Sequence, residues 1–99
     1  MIREERTMMK VTNYKANQTL IETSEFTAHL SYGVPQVIVF HRGSALENTV
    51  VHNNTYYSNT TSKHKNAYMR TLCNESYTFI PATPAEIEEI TNLETPVSV

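Results

Sequence analysis

The sequence predicts an α+β domain: a small antiparallel meander sheet of about three to five strands with two helices, at roughly 61–73 and 84–93, packed on one face. Three observations predict it. Phe26-Thr27-Ala28-His29-Leu30-Ser31-Tyr32 alternates apolar and polar residues without a break, and period two means a strand with one buried and one wet face. Val37-Ile38-Val39-Phe40 is apolar on both parities, as a central strand covered on both faces requires. Thr83-Pro84-Ala85-Glu86 joins an N-cap, a proline at the first helical position and a glutamate three residues after the cap, which is a capping box opening a helix.

The elements follow in order. Residues 8–14 and 19–22 are each read as a strand ahead of the alternating one. Gly33, which tolerates positive φ, and Pro35, which has no N–H to donate, reverse the chain into the strand at 36–40. With that turn centred near Val34, His41 stands opposite Thr27 and His29 lies diagonally beside it. Residues 41–48 are polar and broken by Gly43, hence a loop. Thr49-Val50-Val51-His52 resumes a strand, Asn53-Asn54 offers a turn, and Thr55-Tyr56-Tyr57 closes a second hairpin. Residues 57–62, Tyr57-Ser58-Asn59-Thr60-Thr61-Ser62, supply helix caps, and any of the last four can accept from an orphan amide. The helix that follows places Tyr68, Met69 and Leu72 on one face. Residues 77–80 form a further strand, and Ile87, Ile90 and Leu93 line one face of the last helix. Residues 1–7 are expected to be flexible, 8–94 to form a single domain, and 95–99 to be a flexible tail.

Composition bounds the function. The 99 residues, 39% hydrophobic and 18% charged, suffice for one core and no second domain. No stretch approaches the roughly 18 apolar residues of a membrane span, so no membrane partner is expected. The charged opening, Met1-Ile2-Arg3-Glu4-Glu5-Arg6, has no apolar stretch behind it, which predicts no secretory signal. Cys73 is the single cysteine; it excludes an internal disulfide framework and fits a reducing cytoplasm. In that compartment the four Asn-x-Ser/Thr sequons, at Asn17, Asn53, Asn59 and Asn74, reflect an Asn- and Thr-rich composition. A net charge of −2 gives no global attraction to nucleic acid, so such binding requires a local basic patch.

One local cluster stands out. Lys63, His64 and Lys65 fall in the first turn of the helix read from Thr61, where cations oppose the dipole. An anion would neutralise both. The free amides of the helix start, the hydroxyls of Thr60, Thr61 and Ser62, and Lys63, His64 and Lys65 together make an anion pocket. Tyr56, Tyr57 and Tyr68 add stacking surfaces and Arg70 a further cation, the composition of a single-stranded nucleic-acid site. These ten residues are the candidate partner-binding set.

Catalysis and metal binding have weaker support. His29, His41, His52 and His64 recur about one hairpin arm apart, yet no close-spaced ligand pair or carboxylate accompanies them, so no metal or cofactor is expected. Two histidines working with Lys63 or Tyr57 on a phosphate would suit a small ribonuclease, but no spacing demands it. The reading is non-enzymatic.

Tyr57-Ser58-Asn59-Thr60-Thr61-Ser62-Lys63-His64, set after a small sheet, resembles a family of small bacteriophage and prophage proteins of unknown function that share a Tyr-Ser-x-Thr-Thr-Ser-x-His segment. The resemblance spans residues 19–70. It implies a phage product acting in the bacterial host cytoplasm, where small acidic proteins bind and inhibit host factors, including defence systems. It supplies no catalytic residues. Two classes of function are therefore expected: an interaction protein that occupies a host protein, for which Glu86, Glu88, Glu89 and Glu94 could mimic nucleic acid, or a protein that binds nucleic acid through the basic helix start. A dimer is compatible with either.

Overall fold

A computed structural model describes residues 9–73 and 76–97. The expectations for residues 1–7, Met8, the Asn74 sequon and the last two tail residues lie outside the described residues. The elements are β1 (Lys10–Lys15), β2 (Gln18–Glu22), β3 (Phe26–Ser31), β4 (Val34–Phe40), β5 (Thr49–Asn53), α1 (Asn59–Arg70), β6 (Thr78–Ala82) and α2 (Pro84–Thr91).

The fold is α+β, with six strands in one sheet in the order β1-β2-β3-β4-β5-β6. The first five strands form the expected antiparallel meander. The sixth corrects it, because β6 runs parallel to β5 and the sheet is mixed. Parallel neighbours need a long crossover, and α1 is that crossover. The second hairpin expected at residues 49–57 does not form. Instead Asn53 is fully buried, its amide donating to Pro35 O and Tyr57 Oη, both at 3.0 Å, and β6 takes the place beside β5.

The two helices lie on opposite faces, which corrects the expectation of one. Register fixes the sides. Val37 and Val39 pair with His52 and Val50, and Tyr68, Met69 and Leu72 of the α1 side pack on Val37, Val39 and Val50. The alternate residues, Phe26, Ala28, Leu30, Ile38, Phe40 and Val51, pack with Ile87 of α2. Every residue of β4 is buried. A strand apolar on both parities needs two covers, and one helix lies on only one side of a sheet.

The same geometry overturns the wet face of β3. His29 is 0% exposed and Ser31 1%, because α1 covers the polar half of the alternation. The β3–β4 turn is tight, with Tyr32 at φ 51 and Gly33 at φ 80, two positive values as a type I′ hairpin requires. It places His41 one step beyond the Phe26–Phe40 pair, so its amide donates to Glu25 O at 2.8 Å. Thr27 is paired with Val39 and is not opposite His41.

Both helix starts are set by local hydrogen bonds. Ser58, extended at φ −170 and ψ 164, accepts from Thr61 N at 3.1 Å, so α1 begins at Asn59, earlier than expected. Lys63, His64 and Lys65 then fall in the second turn, where the dipole no longer penalises them. Thr83 accepts from Glu86 N at 3.2 Å while Glu86 Oε1 accepts from Thr83 N at 2.8 Å, the expected capping box. Asn92, left-handed at φ 63, ends α2 as asparagine commonly does. The start of the tail is held: Thr95 is buried, its amide donates to Glu88 Oε1 at 3.3 Å, and Pro96 O accepts from Tyr57 Oη.

Candidate functional site: the outer stripe of α1 and the cleft beside β6

The segment Asn59-Thr60-Thr61-Ser62-Lys63-His64-Lys65-Asn66-Ala67-Tyr68-Met69-Arg70 contains no carboxylate. Helical spacing divides it into an inner and an outer surface.

The inner surface is polar at its start and apolar at its end. Ser31 Oγ lies 3.2 Å from Thr61 Oγ1 and 2.8 Å from His64 Nδ1. Ser31 Oγ thus bridges Thr61 and His64, with the proton roles following the His64 tautomer. Beneath it, His29 stacks on Tyr68 at 4.5 Å, with Tyr14 edge-on at 6.0 Å. Its Nε2 lies 2.9 Å from Gln18 Oε1; an amide oxygen only accepts, so Nε2 carries the hydrogen and Nδ1 is a bare acceptor with no partner. Burial, and secondarily the nearby His64, lowers the His29 pKa to about 4. This histidine is neutral and structural.

Lys65 belongs to the same tethering. Its Nζ donates to Asn53 O at 2.9 Å, and burial lowers its pKa. Burial also lowers that of His52, and the Lys65 charge adds to the effect.

The ten candidate residues therefore do not converge on one pocket. Thr61, His64 and Tyr68 turn toward the sheet, Lys65 and Tyr57 are half-buried and hydrogen-bonded, and Ser62 is half-buried. Tyr56, Thr60, Lys63 and Arg70 remain exposed. The segment from Tyr57 to His64 is accordingly dominated by structural roles: Tyr57 pins the tail, Ser58 caps α1, and Thr61 and His64 bind Ser31.

The outer surface is a stripe of exposed residues, Asn59, Lys63, Asn66 and Arg70, at the 4-3-4 spacing of one helix face. Tyr56, 66% exposed, heads it and donates from Oη to Asn59 Oδ1 at 2.9 Å. Lys63 and Arg70 stand about 10 Å apart along the axis. The far end of the stripe runs into a cleft of about 450 Å³ lined by His52, Asn66, Met69, Arg70, Cys73 and Phe79. This cleft was not legible in the sequence, because it exists only once β6 lies parallel beside β5. Its one advance signal is the uncharged run Thr78-Phe79-Ile80-Pro81.

The remaining candidates are local. Ser31 with His64 has the look of a nucleophile and its base, but Ser31 is 1% exposed, so no substrate reaches its Oγ. His41 Nε2 is 2.7 Å from Thr27 Oγ1. Among the described residues no three His, Cys, Asp or Glu side chains gather to hold a metal. In α2, Glu86 and Glu88 are engaged in the cap and in holding Thr95. No described helix is long and apolar enough to cross a membrane. Comparison with protein-family models, with curated proteins and with solved structures found no match for this chain.

Proposed function

We propose that the protein acts by binding a macromolecular partner through the outer surface of α1, without catalysing a reaction, and that the partner is a host protein which it inhibits in the bacterial cytoplasm. The observation that carries the reading is the stripe of Tyr56, Asn59, Lys63, Asn66 and Arg70. Tyr56 is exposed just ahead of α1, and the other four are exposed on a helix with no carboxylate, so its cations have no acidic neighbour on α1. A helix whose inner surface is fixed to the sheet offers such groups at little ordering cost. The phage-like segment supports the host setting.

A second reading is single-stranded nucleic-acid binding. The exposed Tyr56 ring supports it, together with Tyr32, 52% exposed and stacked at 6.0 Å on His64, because aromatic rings beside cations are what such sites use.

A tagged pull-down from bacterial lysate, split into nuclease-treated and untreated halves, separates the two. The expected outcome is a host protein retained in both halves by the wild type and lost, about tenfold or more, by the Lys63→Glu/Arg70→Glu variant. Nucleic acid recovered only in the untreated half would select the second reading. Equal retention by wild type and variant would overturn the stripe as the site.

A further inference from the structure

The two edges of the sheet are built differently. β1 carries Lys10 and Lys15 and an irregularity between Asn13 and Lys15, the charged and bulged edge by which proteins prevent strand addition. β6 has no charge. Phe79 is 37% exposed and Ile80 44%, with Thr78 and Pro81 exposed as well.

Hydrogen bonding shows which backbone groups of β6 are free. Thr78 N donates to Asn48 O at 2.9 Å, and Ala82 O accepts from Asn54 N at 2.9 Å, so residues 78, 80 and 82 face β5. In a parallel ladder the intervening residues point the other way. The Phe79 N–H and C=O and the Pro81 C=O are thus directed off the edge, and Pro81, with no N–H, sits where it removes no bond to β5. Phe79 borders the cleft that ends the α1 stripe.

We infer that β6 is a strand-addition site for an extended acidic segment of a partner protein. The segment pairs with the Phe79 N–H and C=O and puts an apolar side chain into the cleft between Met69, Cys73 and Phe79. A carboxylate two residues along, on the same strand face, meets Arg70. Charge complementarity selects this occupant. Among the described residues the cleft is lined by a cation and no carboxylate, whereas a second copy paired edge to edge would bring an uncharged strand and another Arg70. Main-chain bonds supply affinity and the pocket supplies selectivity, as in other strand additions. The inference rests on the reading that the partner is a protein and specifies the kind of segment bound.

The test uses the full chain, labelled with ¹⁵N, and a short acetylated and amidated peptide with valine and glutamate two residues apart and threonine elsewhere. A peptide with lysine in place of glutamate is the control. The expected result is a shifted Phe79 amide whose hydrogen exchange slows about tenfold or more, while Thr78 and Ile80, already bonded to β5, keep their protection. Arg70→Glu, an exposed change on the helix surface, weakens the glutamate peptide about tenfold and strengthens the lysine peptide. An unmoved Phe79 amide at about 1 mM peptide, or equal binding of the two peptides, overturns the proposal. A Phe79 amide protected without peptide, with a doubled mass in solution, also overturns it and assigns the edge to a second copy. A host protein retained equally by wild type and Arg70→Glu, with Phe79 unmoved, overturns the edge site alone. A pull-down that retains no host protein overturns the functional reading beneath it.

Discussion

At the scale of single residues, His29 shows how a position that looks solvated becomes structural. Alternation marks it as polar and outward, but Tyr68 and Tyr14 enclose it and Gln18 fixes its tautomer. Its pKa falls from 6.5 to about 4, so below pH 6.5 the unfolded chain takes a proton that the folded chain refuses. The His29 contribution is complete above about pH 6.5 and is lost as pH falls from 6.5 through 4, by about 3 kcal/mol at most. Urea unfolding followed between pH 4 and 7 is expected to show that loss, and His29→Phe is expected to flatten the slope over the same window. An unchanged slope would mean that His29 does not titrate in this way.

At the scale of elements, α1 is defined by its cap. Ser58 lies in an extended conformation and bonds Thr61 N, whereas Ser62 is the fourth residue of the helix. Ser58→Ala is therefore expected to cost about 1 kcal/mol and Ser62→Ala only a few tenths, measured by denaturant midpoints. Equal costs would move the helix start back toward Thr61. The candidate site depends on the same detail, because starting α1 at Asn59 turns Thr61 and His64 toward Ser31 and leaves Lys63 and Arg70 outward. Apolar spacing revealed that α1 was amphipathic. The sequence points to a cap among Asn59 to Ser62, and Ser58, one residue earlier, is the cap, because every residue of this run carries a side-chain acceptor.

At the scale of the whole molecule, β4 holds two cores together. Ile38 faces the α2 side and Val37 and Val39 the α1 side, so loss of packing on one face should be felt on the other. Ile87→Ala is expected to cost about 2–5 kcal/mol, since Ile87 is 0% exposed. Thermal melts read by far-ultraviolet circular dichroism and by tyrosine fluorescence, reporting Tyr68 and Tyr77 on the α1 side, are expected to shift together. Separate transitions would show that the faces fold independently. The opposed helices also segregate charge, with Lys63, Lys65 and Arg70 on α1 and Glu86, Glu88 and Glu89 on α2. The two binding surfaces read from the sequence thus lie on opposite sides of one sheet.

Local signals carried much of the architecture. Alternation in β3, the doubly apolar β4, the polar loop after it and the capping box of α2 are each short-range patterns whose cause lies within a few residues; each appears where the sequence places it except the start of β4, which takes in Val34 and Pro35, expected in the turn. What lay outside such patterns was settled by contacts distant along the chain. The Asn53 amide reaches Pro35, Ser31 reaches Thr61 and His64, and β6 lies parallel to β5 across the whole of α1. Side-chain periodicity reports whether a face is covered but not what covers it. His29 and Ser31 consequently read as wet until α1 folds over them, and the uncharged run at Thr78-Phe79-Ile80-Pro81 does not by itself reveal the cleft, because the walls come from β5, α1 and β6 together.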